Sequence, residues 1–271
     1  MRGGLLLFRL SLKRVWPMLV ATGLLLAAVQ VWRVNIAAMV HSNGQFGQIT
    51  ALLPPVIRTI IGPSLASIMT FNGIVCGVYF DTGFIVALVA LAITLATLPA
   101  SEIETGFADL FLARPMRRHW MITRTIALVV FSELLMLLMI AGGTWAGLML
   151  FAPPGVSWPQ VRQTAALSLC LGMLVLSWSG VAMAFGAACR RGVAATATSL
   201  IAFAAMILDW AHRLWPALGF IARLSPFYYF QPYGLVAGDR LRAADLLVLL
   251  AISLTGYAVA YGIISRRDIS R

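Results

Sequence analysis

The chain has 271 residues, of which 61% are apolar and 11% charged, and its mean hydropathy is +0.92. Soluble domains average about 45–50% apolar and about 25% charged residues, so a soluble fold of this composition would lack the polar surface to cover itself. The 20 basic residues outnumber the 9 acidic ones, which gives a net charge of +11. These charges lie between long apolar runs, a pattern that argues against nucleic-acid binding and is typical of membrane proteins. We therefore predict an integral membrane protein.

Six stretches are apolar and long enough to cross a bilayer as helices, which takes about 20 residues each. The predicted spans are 15–34, 82–100, 122–150, 162–188, 193–214 and 243–264. The first is predicted to be retained, because its apolar run exceeds a signal-peptide core of roughly 7–15 residues and no clear cleavage site follows. We predict one all-α membrane domain over residues 1–271.

The basic residues are distributed unevenly between the two sides of these spans. With both termini inside, thirteen of the twenty lie on the inner side: Arg2, Arg9, Lys13, Arg14, Arg114, Arg117, Arg118, Arg124, Arg190, Arg191, Arg266, Arg267 and Arg271. Cytoplasmic segments of membrane proteins are enriched in basic residues. The distribution therefore predicts that both termini lie in the cytoplasm and that the protein lies in the inner or plasma membrane of the cell.

Residues 60–80 (IIGPSLASIMTFNGIVCGVYF) are apolar enough to suggest a seventh span. A crossing there would move the arginines of the 101–121 loop to the outer side and break the charge pattern. The segment also contains a proline, an asparagine and three glycines, which weaken a lipid-facing helix. We predict an outer or re-entrant segment.

Residues 215–242, which precede the last span, combine prolines with a cluster of aromatic residues. Pro216, Pro226 and Pro232 prevent one continuous helix, and aromatic residues at the density of 227–233 are typical of a membrane interface. The segment is predicted either as an interfacial loop or as a short re-entrant pair of helices.

The first 14 residues are both basic and rich in leucine. Arg9 and Lys13 lie among leucines just before Trp16. This mixture is typical of an amphipathic helix that lies along the inner membrane surface with its basic residues near lipid phosphates. We predict an interfacial helix over residues 1–14.

The inner loop 101–121 has the sequence SEIETGFADLFLARPMRRHWM. Its residues form three groups in chain order: acidic Glu102, Glu104 and Asp109; apolar Leu110, Phe111 and Leu112; and then Arg114, Pro115, Arg117 and Arg118. Acids near the start and bases near the end suit the dipole of a short helix, which the proline ends or kinks. Apolar residues exposed between charges are typical of a helix that docks into a partner, although a solvated basic loop is the alternative.

The run from Glu102 to Arg118 resembles the acidic-Gly-(Thr)-x-x-Leu-Leu-x-x-Pro-x-x-Arg loop of the exporter-type permeases of ABC transporters (ABC type 2). Phe107, after Gly106, stands where that family commonly has threonine. Two shorter runs are similar to the same family: LSPFYY at 224–229 with Gly-Asp at 238–239, and RRDI at 266–269. The resemblance covers the whole chain in layout, and these runs carry its sequence signal.

The resemblance implies a six-span permease that pairs with a second copy or a paralogue and with two soluble ABC ATP-binding subunits. Loop 101–121 would be the coupling helix, residues 2–14 the connecting helix, and 215–242 the re-entrant outer element. The family exports amphipathic cargo such as drugs, antibiotics or lipids. The implied ATPase-coupling interface comprises Glu102, Glu104, Gly106, Phe107, Asp109, Leu110, Phe111, Leu112, Arg114, Pro115, Arg117 and Arg118.

ATP hydrolysis is expected in a separate chain. A phosphate-binding P-loop needs Gly-x-x-x-x-Gly-Lys-Ser/Thr, and the single lysine, Lys13, lies between Leu12 and Arg14 without that pattern. We therefore expect ATP and magnesium on the partner subunit, and no cofactor or metal in this chain. The histidines and cysteines are scattered without catalytic or metal-type spacing, so we predict that the chain is not an enzyme.

Glu133 is a charged residue within an apolar span. It lies about nine to twelve residues into the third span, or roughly 13–18 Å deep at 1.5 Å per residue. Such a carboxylate is costly and usually faces a cavity or a partner. One hypothesis places Glu133 on the translocation path, and the other makes it a protonated carboxyl hydrogen-bonded to a neighbouring helix.

Other pairs in the spans are predicted to be structural. Asp209 and Arg213 are four residues apart on one helix face, which favours a local ion pair. Asp81 precedes the second span, as an acid at a helix start often does. Gly143 and Gly147 are small residues at a spacing that allows close helix packing.

A passive channel or secondary carrier is the alternative function. Such a protein would need no loop that docks an ATPase, so the three consecutive apolar residues at 110–112 distinguish the two hypotheses.

Overall fold

The computed structural model describes residues 2–42, 54, 65–105 and 119–266. Regular structure in these ranges is helical, and six segments are long and apolar enough to cross a membrane. They are Phe8–Ser42, Phe71–Glu104, Trp120–Phe151, Val161–Ala188, Arg191–Leu214 and Ala243–Arg266. The prediction of an all-α protein with six candidate membrane-spanning helices is confirmed for the described residues, and the chain has the architecture of a multi-pass membrane protein.

The helices are numbered in chain order. They are α1 (Arg2–Ser42), α2 (Leu65–Ile68), α3 (Phe71–Cys76), α4 (Thr82–Ala96), α5 (Leu98–Glu104), α6 (His119–Phe151), α7 (Val161–Ala188), α8 (Arg191–Leu214), α9 (Gly219–Ala222), α10 (Pro232–Val236) and α11 (Ala243–Arg266). Short 3₁₀ helices lie at Gly77–Phe80, Pro216–Leu218 and Pro226–Tyr229.

Helix α1 joins the predicted interfacial helix and the first span. Residues 2–14 and 15–34 form one helix that continues to Ser42 and passes through Pro17. Leucine, alanine and arginine on both sides favour a helix, so the proline removes one backbone hydrogen bond without ending it. The predicted boundary after residue 14 is therefore not a helix end. The placement of the first turns along a membrane surface stays a prediction.

The second span is built from several helical pieces. Helix α4 ends at Ala96, and α5 restarts at Leu98 after a turn at Thr97. The buried Thr97 Oγ1 donates a hydrogen bond to the Ile93 carbonyl at 2.9 Å, and Pro99 has no N–H to donate to a continuing helix. These local features explain why the helix is interrupted within one apolar run.

Residues 65–80 fold as short helices, and no separate seventh span occurs in the described ranges. Phe71 and Val75 of α3 pack in one apolar cluster with Val34 and Ala37 of α1 and with Leu148 of α6. The segment therefore covers the ends of two spans. A re-entrant course through the membrane stays a prediction.

Two pairs of long helices run in parallel through the bundle. The ring of Phe8 lies 6.2 Å from that of Phe131, and further along the same pair a methyl group at Gly143 would lie 2.7 Å from the Ala27 carbonyl oxygen. This confirms the predicted close packing at Gly143, because α1 approaches its backbone directly. The second pair is α7 and α11, whose Ser179 Oγ and Tyr257 hydroxyl are 2.6 Å apart.

The alternating direction of the six spans gives the bundle two ends. One end, which we call the loop end, holds residues 97–105, 119–124 and 186–191. The opposite end, which we call the cap end, holds residues 71–84, 152–163 and 209–243. The last span ends at the loop end, where the Thr123 and Tyr261 hydroxyls form a hydrogen bond. An even number of candidate spans puts the start of α1 and the end of α11 at this end.

Residues 215–242 fold as short helices and turns over the cap end. The Phe227 ring lies 5.7 Å from the buried Trp178 indole of α7, and Phe80 lies 5.1 Å from Tyr233. Ser225 Oγ donates to the Ala205 carbonyl of α8 at 3.3 Å. The aromatic cluster therefore belongs in part to the packed core, while its depth in a membrane stays a prediction.

Candidate functional site

Glu102 and Arg124 form a buried ion pair at the loop end. Arg124 Nη2 donates to both carboxylate oxygens of Glu102, at 2.6 Å to Oε1 and 2.5 Å to Oε2. The Arg124 and Glu102 side chains are only 6% and 7% exposed. Arg124 Nε is also buried and has no hydrogen-bond partner among the described residues. The pair joins α5 to α6, the helices on either side of residues 106–118.

Glu104 joins α5 to the start of α8. Its Oε1 accepts a hydrogen bond of 2.6 Å from the Arg191 backbone N–H, while Arg190 at the N-cap provides no side-chain acceptor. A carboxylate suits this place, because the first turn of a helix has free N–H groups and a partial positive charge. Arg191 Nη1 also donates to Ser101 Oγ at 3.4 Å, so α5 contacts α8 through two residues.

Helix α5 packs against α7 as well. A methyl group at Gly186 of α7 would lie 3.5 Å from the Cα of Thr97, at the turn before α5. Pro99 and Ala100 are buried, whereas Glu104 at the end of the helix is exposed. The short helix that leads into residues 106–118 therefore contacts α6, α7 and α8.

The sequence-predicted coupling residues divide into two groups. Glu102 and Glu104 are placed as described, with their carboxylates bonded to groups of the same chain. Those that lie outside the described residues are Gly106, Phe107, Asp109, Leu110, Phe111, Leu112, Arg114, Pro115, Arg117 and Arg118. Glu102 is buried in its pair with Arg124, so its carboxylate serves the attachment of α5.

Sequence reasoning gave no individual role to two residues of this site, Arg124 and Arg191. Both count among the basic residues that flank the spans, and nothing local distinguishes them from the others. Arg124 does lie two residues inside the third predicted span, where a charge needs a partner. That position could have indicated a buried ion pair. Glu102, at the end of the preceding span, could have been identified as the acidic partner.

Glu133 lies inside the bundle, between α6 and α7. Its Oε1 would be 3.3 Å from a methyl group at Gly172, and the residue is 7% exposed. Neither carboxylate oxygen has a hydrogen-bond partner among the described residues. One hypothesis made Glu133 a protonated carboxyl that is hydrogen-bonded to a neighbouring helix. That hydrogen bond is not formed with any group that the structure describes. The carboxyl faces the neighbouring helix within the same chain.

The cap end holds two further ion pairs. Arg213 Nη2 lies 2.9 Å from Asp209 Oδ2, so the predicted pair is formed. Asp81 caps α4 by accepting from the Gly83 N–H at 2.8 Å, and it also pairs with Arg33 of α1. The Arg33 contact joins the first two spans and could not be read from local spacing.

An open cavity of about 260 Å³ lies beside the Asp209–Arg213 pair. The Arg213 guanidinium lies over the Tyr233 ring, 5.1 Å from its centroid. Burial raises the pKa of the Tyr233 phenol, against a smaller lowering effect of the Arg213 charge. The His212 ring lies 5.6 Å from that of Tyr228, and its Nδ1 is buried without a partner in the described part of the chain.

Among the described residues, no three His, Cys, Asp or Glu side chains come close enough together to hold a metal ion. Cys76, Cys170 and Cys189 are free thiols. No protein-family model matches the chain, and no curated protein matches it.

Proposed function

We propose that this chain is the permease subunit of an ATP-driven exporter of the ABC type 2 class. Six candidate spans and the resemblance of residues 102–118 to the coupling loop of that family support the proposal. Two copies of the chain, or one copy and a paralogue, would pair with two ATP-binding subunits. The termini and the 101–121 loop would lie in the cytoplasm, and the complex in the inner or plasma membrane of the cell.

The observation that carries the proposal is the attachment of α5. Glu102 bonds to Arg124 of α6, Glu104 bonds to Arg191 of α8, and Thr97 lies against α7. A coupling loop must pass its displacement to several spans at once, and α5 contacts three of them. A solvated connecting loop would have no need of a buried ion pair at its base, because such pairs carry a desolvation cost.

The mechanism that follows is alternating access. Closure of the partner dimer on ATP would displace residues 106–118, and α5 would pass this displacement to α6, α7 and α8. The energy comes from the partner's different affinity for ATP in its two states, since a ligand shifts an equilibrium only by its differential affinity. Residues 2–14 would act as the connecting helix and 215–242 as the re-entrant outer element. Amphipathic cargo such as a drug, an antibiotic or a lipid would cross.

Glu133 remains a candidate residue of the translocation path within this proposal. Because its carboxyl now faces Gly172 of α7, cargo could reach it only if α6 and α7 separated during transport. A path along a dimer interface would not otherwise contact it.

The experiment is co-purification of the tagged full-length chain from its own cells. We expect an ATP-binding protein to accompany the wild type and to be lost from the triple variant Leu110→Ser, Phe111→Ser, Leu112→Ser. The matched control is Phe220→Ser with Leu224→Ser, two residues that are 82% and 80% exposed at the cap end. This control should keep the partner, because only the loop is expected to dock it.

Two outcomes would count against the proposal. The wild-type chain could purify alone and move solute without ATP, as a channel or secondary carrier does. Alternatively, the loop variant could retain the ATP-binding protein as well as the control does.

A further inference from the structure

A cavity of about 420 Å³ opens at the cap end beside the first turn of α7. Gln160, Arg162, Gln163 and Ala166 line it from the start of α7, and residues 235–241 line it from α10 and the turn that follows. Small-molecule sites typically have about 300–1,000 Å³, so this volume can hold a phosphate-bearing headgroup.

Two arginines from separate elements line this cavity. Arg162 belongs to α7 and Arg240 to the turn after α10, and both are exposed. The ion pairs within the described residues involve other arginines, so neither guanidinium is neutralised there by a carboxylate. A guanidinium offers N–H donors in a planar fork that matches the oxygens of a phosphate. The two side chains therefore bring anion-binding groups to one cavity.

Three acceptor groups of the cavity wall already have donors. Gln163 Nε2 donates to the Leu235 and Val236 carbonyl oxygens, both at 3.3 Å. Its Oε1 accepts from Asn72 Nδ2 at 3.1 Å, which fixes the orientation of the amide. The free groups that Arg162 and Arg240 add are N–H donors with a positive charge, which favours an anion over a cation.

The one acidic residue in the lining is Asp239, and its Oδ2 lies close to Gly234. A methyl group at Gly234 would lie 2.7 Å from Asp239 Oδ2, and Gly234 does not line this cavity. The Asp239 backbone N–H bonds to the Gly234 carbonyl at 2.9 Å, which holds the turn in this arrangement. Within the described residues, Asp239 forms no ion pair with Arg162 or Arg240.

The cavity lies at the boundary of the candidate spans. Helix α7 begins at Val161 and α11 begins at Ala243, each within a few residues of a lining arginine. Spans begin where the hydrocarbon core gives way to the headgroup region, which is where lipid phosphates lie. The aromatic residues of 227–233 in the same segment are typical of that level.

We propose that this cavity binds the phosphate of an anionic phospholipid headgroup, with Arg162 and Arg240 as its ligands. The site is separate from the loop end, and it does not depend on the proposed transport function. The lipid would connect the start of α7 to the turn before α11 and so hold the cap in place.

The test measures lipid binding to the full-length purified protein by native mass spectrometry, with phosphatidylglycerol, phosphatidylcholine and inorganic phosphate as probes. We expect phosphatidylglycerol to bind tighter than phosphatidylcholine. Arg162→Gln and Arg240→Gln should each weaken its binding about fivefold, the effect of one basic residue near an anionic headgroup. The double variant should bind phosphatidylglycerol no better than phosphatidylcholine.

Arg242→Gln is the matched control, because Arg242 is exposed two residues away and does not line the cavity. It should change phosphatidylglycerol binding less than twofold. An equal loss in Arg242→Gln and Arg240→Gln would show a diffuse field of charge and overturn the proposed site. Wild-type protein without preference for phosphatidylglycerol would overturn it too. Inorganic phosphate that binds as tightly as the lipid would overturn the choice of a lipid.

Discussion

At the scale of single residues, Arg124 and Glu102 show how a buried charge depends on its partner. Replacement of Arg124 by Met would leave the Glu102 carboxylate buried without a counter-charge. We expect Arg124→Met to lower the free energy of unfolding by about 3–5 kcal/mol, the usual cost of removing one member of a buried ion pair. Unfolding of the protein in mixed detergent micelles, followed by circular dichroism, measures this change.

Two controls separate the lost ion pair from a general effect of mutation. Arg33→Met breaks the pair with Asp81, whose side chains are 24% and 34% exposed, and should cost only about 0–1 kcal/mol. The double variant Glu102→Met, Arg124→Met should be more stable than Arg124→Met alone, because no unpaired carboxylate remains. Equal losses in all three variants would contradict the role of burial.

Sequence reasoning identified part of the loop-end site at this scale. Glu102 and Glu104 were found because they belong to a recognisable run. Arg124 and Arg191 were not found, because their partners lie 22 and 87 positions away in the chain. Two partners on different helices have no characteristic separation in the sequence, so their pairing cannot be predicted from spacing. Asp209 and Arg213 are four residues apart on one helix, and their pair was predicted.

At the scale of helices, α7 and α11 pack with their backbones in direct contact. A methyl group at Gly180 would lie 2.6 Å from the Ser253 carbonyl oxygen, and one at Gly256 would lie 2.4 Å from the Gly180 carbonyl carbon. We expect Gly180→Ala and Gly256→Ala to cost about 1–3 kcal/mol each, because two backbones must move apart. Thermal unfolding in detergent checks this prediction.

Gly262 provides the control on the same helix. A methyl group there would meet no atom within 4 Å, so Gly262→Ala should be neutral or stabilise the helix by up to about 1 kcal/mol. A comparable loss at Gly262 and Gly256 would show that the backbone contact is not the cause.

The helices themselves were largely predictable, because an apolar run of sufficient length has few alternatives in lipid. The connections were harder to predict. The turn at Thr97 depends on one side-chain hydrogen bond and a following proline. The continuation of residues 2–14 into the first span depends on helix propensity overriding Pro17. The approach of Gly180 to Gly256 joins two helices, so no spacing within either sequence indicates it.

At the scale of the whole molecule, the orientation of the bundle is the property to test. We expect the loop end in the cytoplasm, because most basic residues belong to its segments. In a variant without its native cysteines, Arg223→Cys at the cap end should react with a membrane-impermeant maleimide on intact cells. Arg117→Cys in the loop should react only after the cells are made permeable.

The reverse labelling pattern would place the 101–121 loop outside the cell and remove it from reach of any cytoplasmic ATPase. Reaction at both positions on intact cells would indicate that the membrane was damaged. An inner-side control, such as Arg14→Cys, distinguishes that case, since it should remain unreactive until the cells are opened.

Helix α1 is longer than a bilayer is thick. Its 41 residues extend about 60 Å, whereas a bilayer with its headgroups is about 40–45 Å thick. Even at the average tilt of about 20°, its reach along the membrane normal stays near 56 Å. A straight helix of this length that crossed the bilayer would therefore overhang the lipid by about 10 Å or more, on the order of two helical turns. Such an overhang would turn small changes in the tilt of the first span into larger sideways movements at its tip.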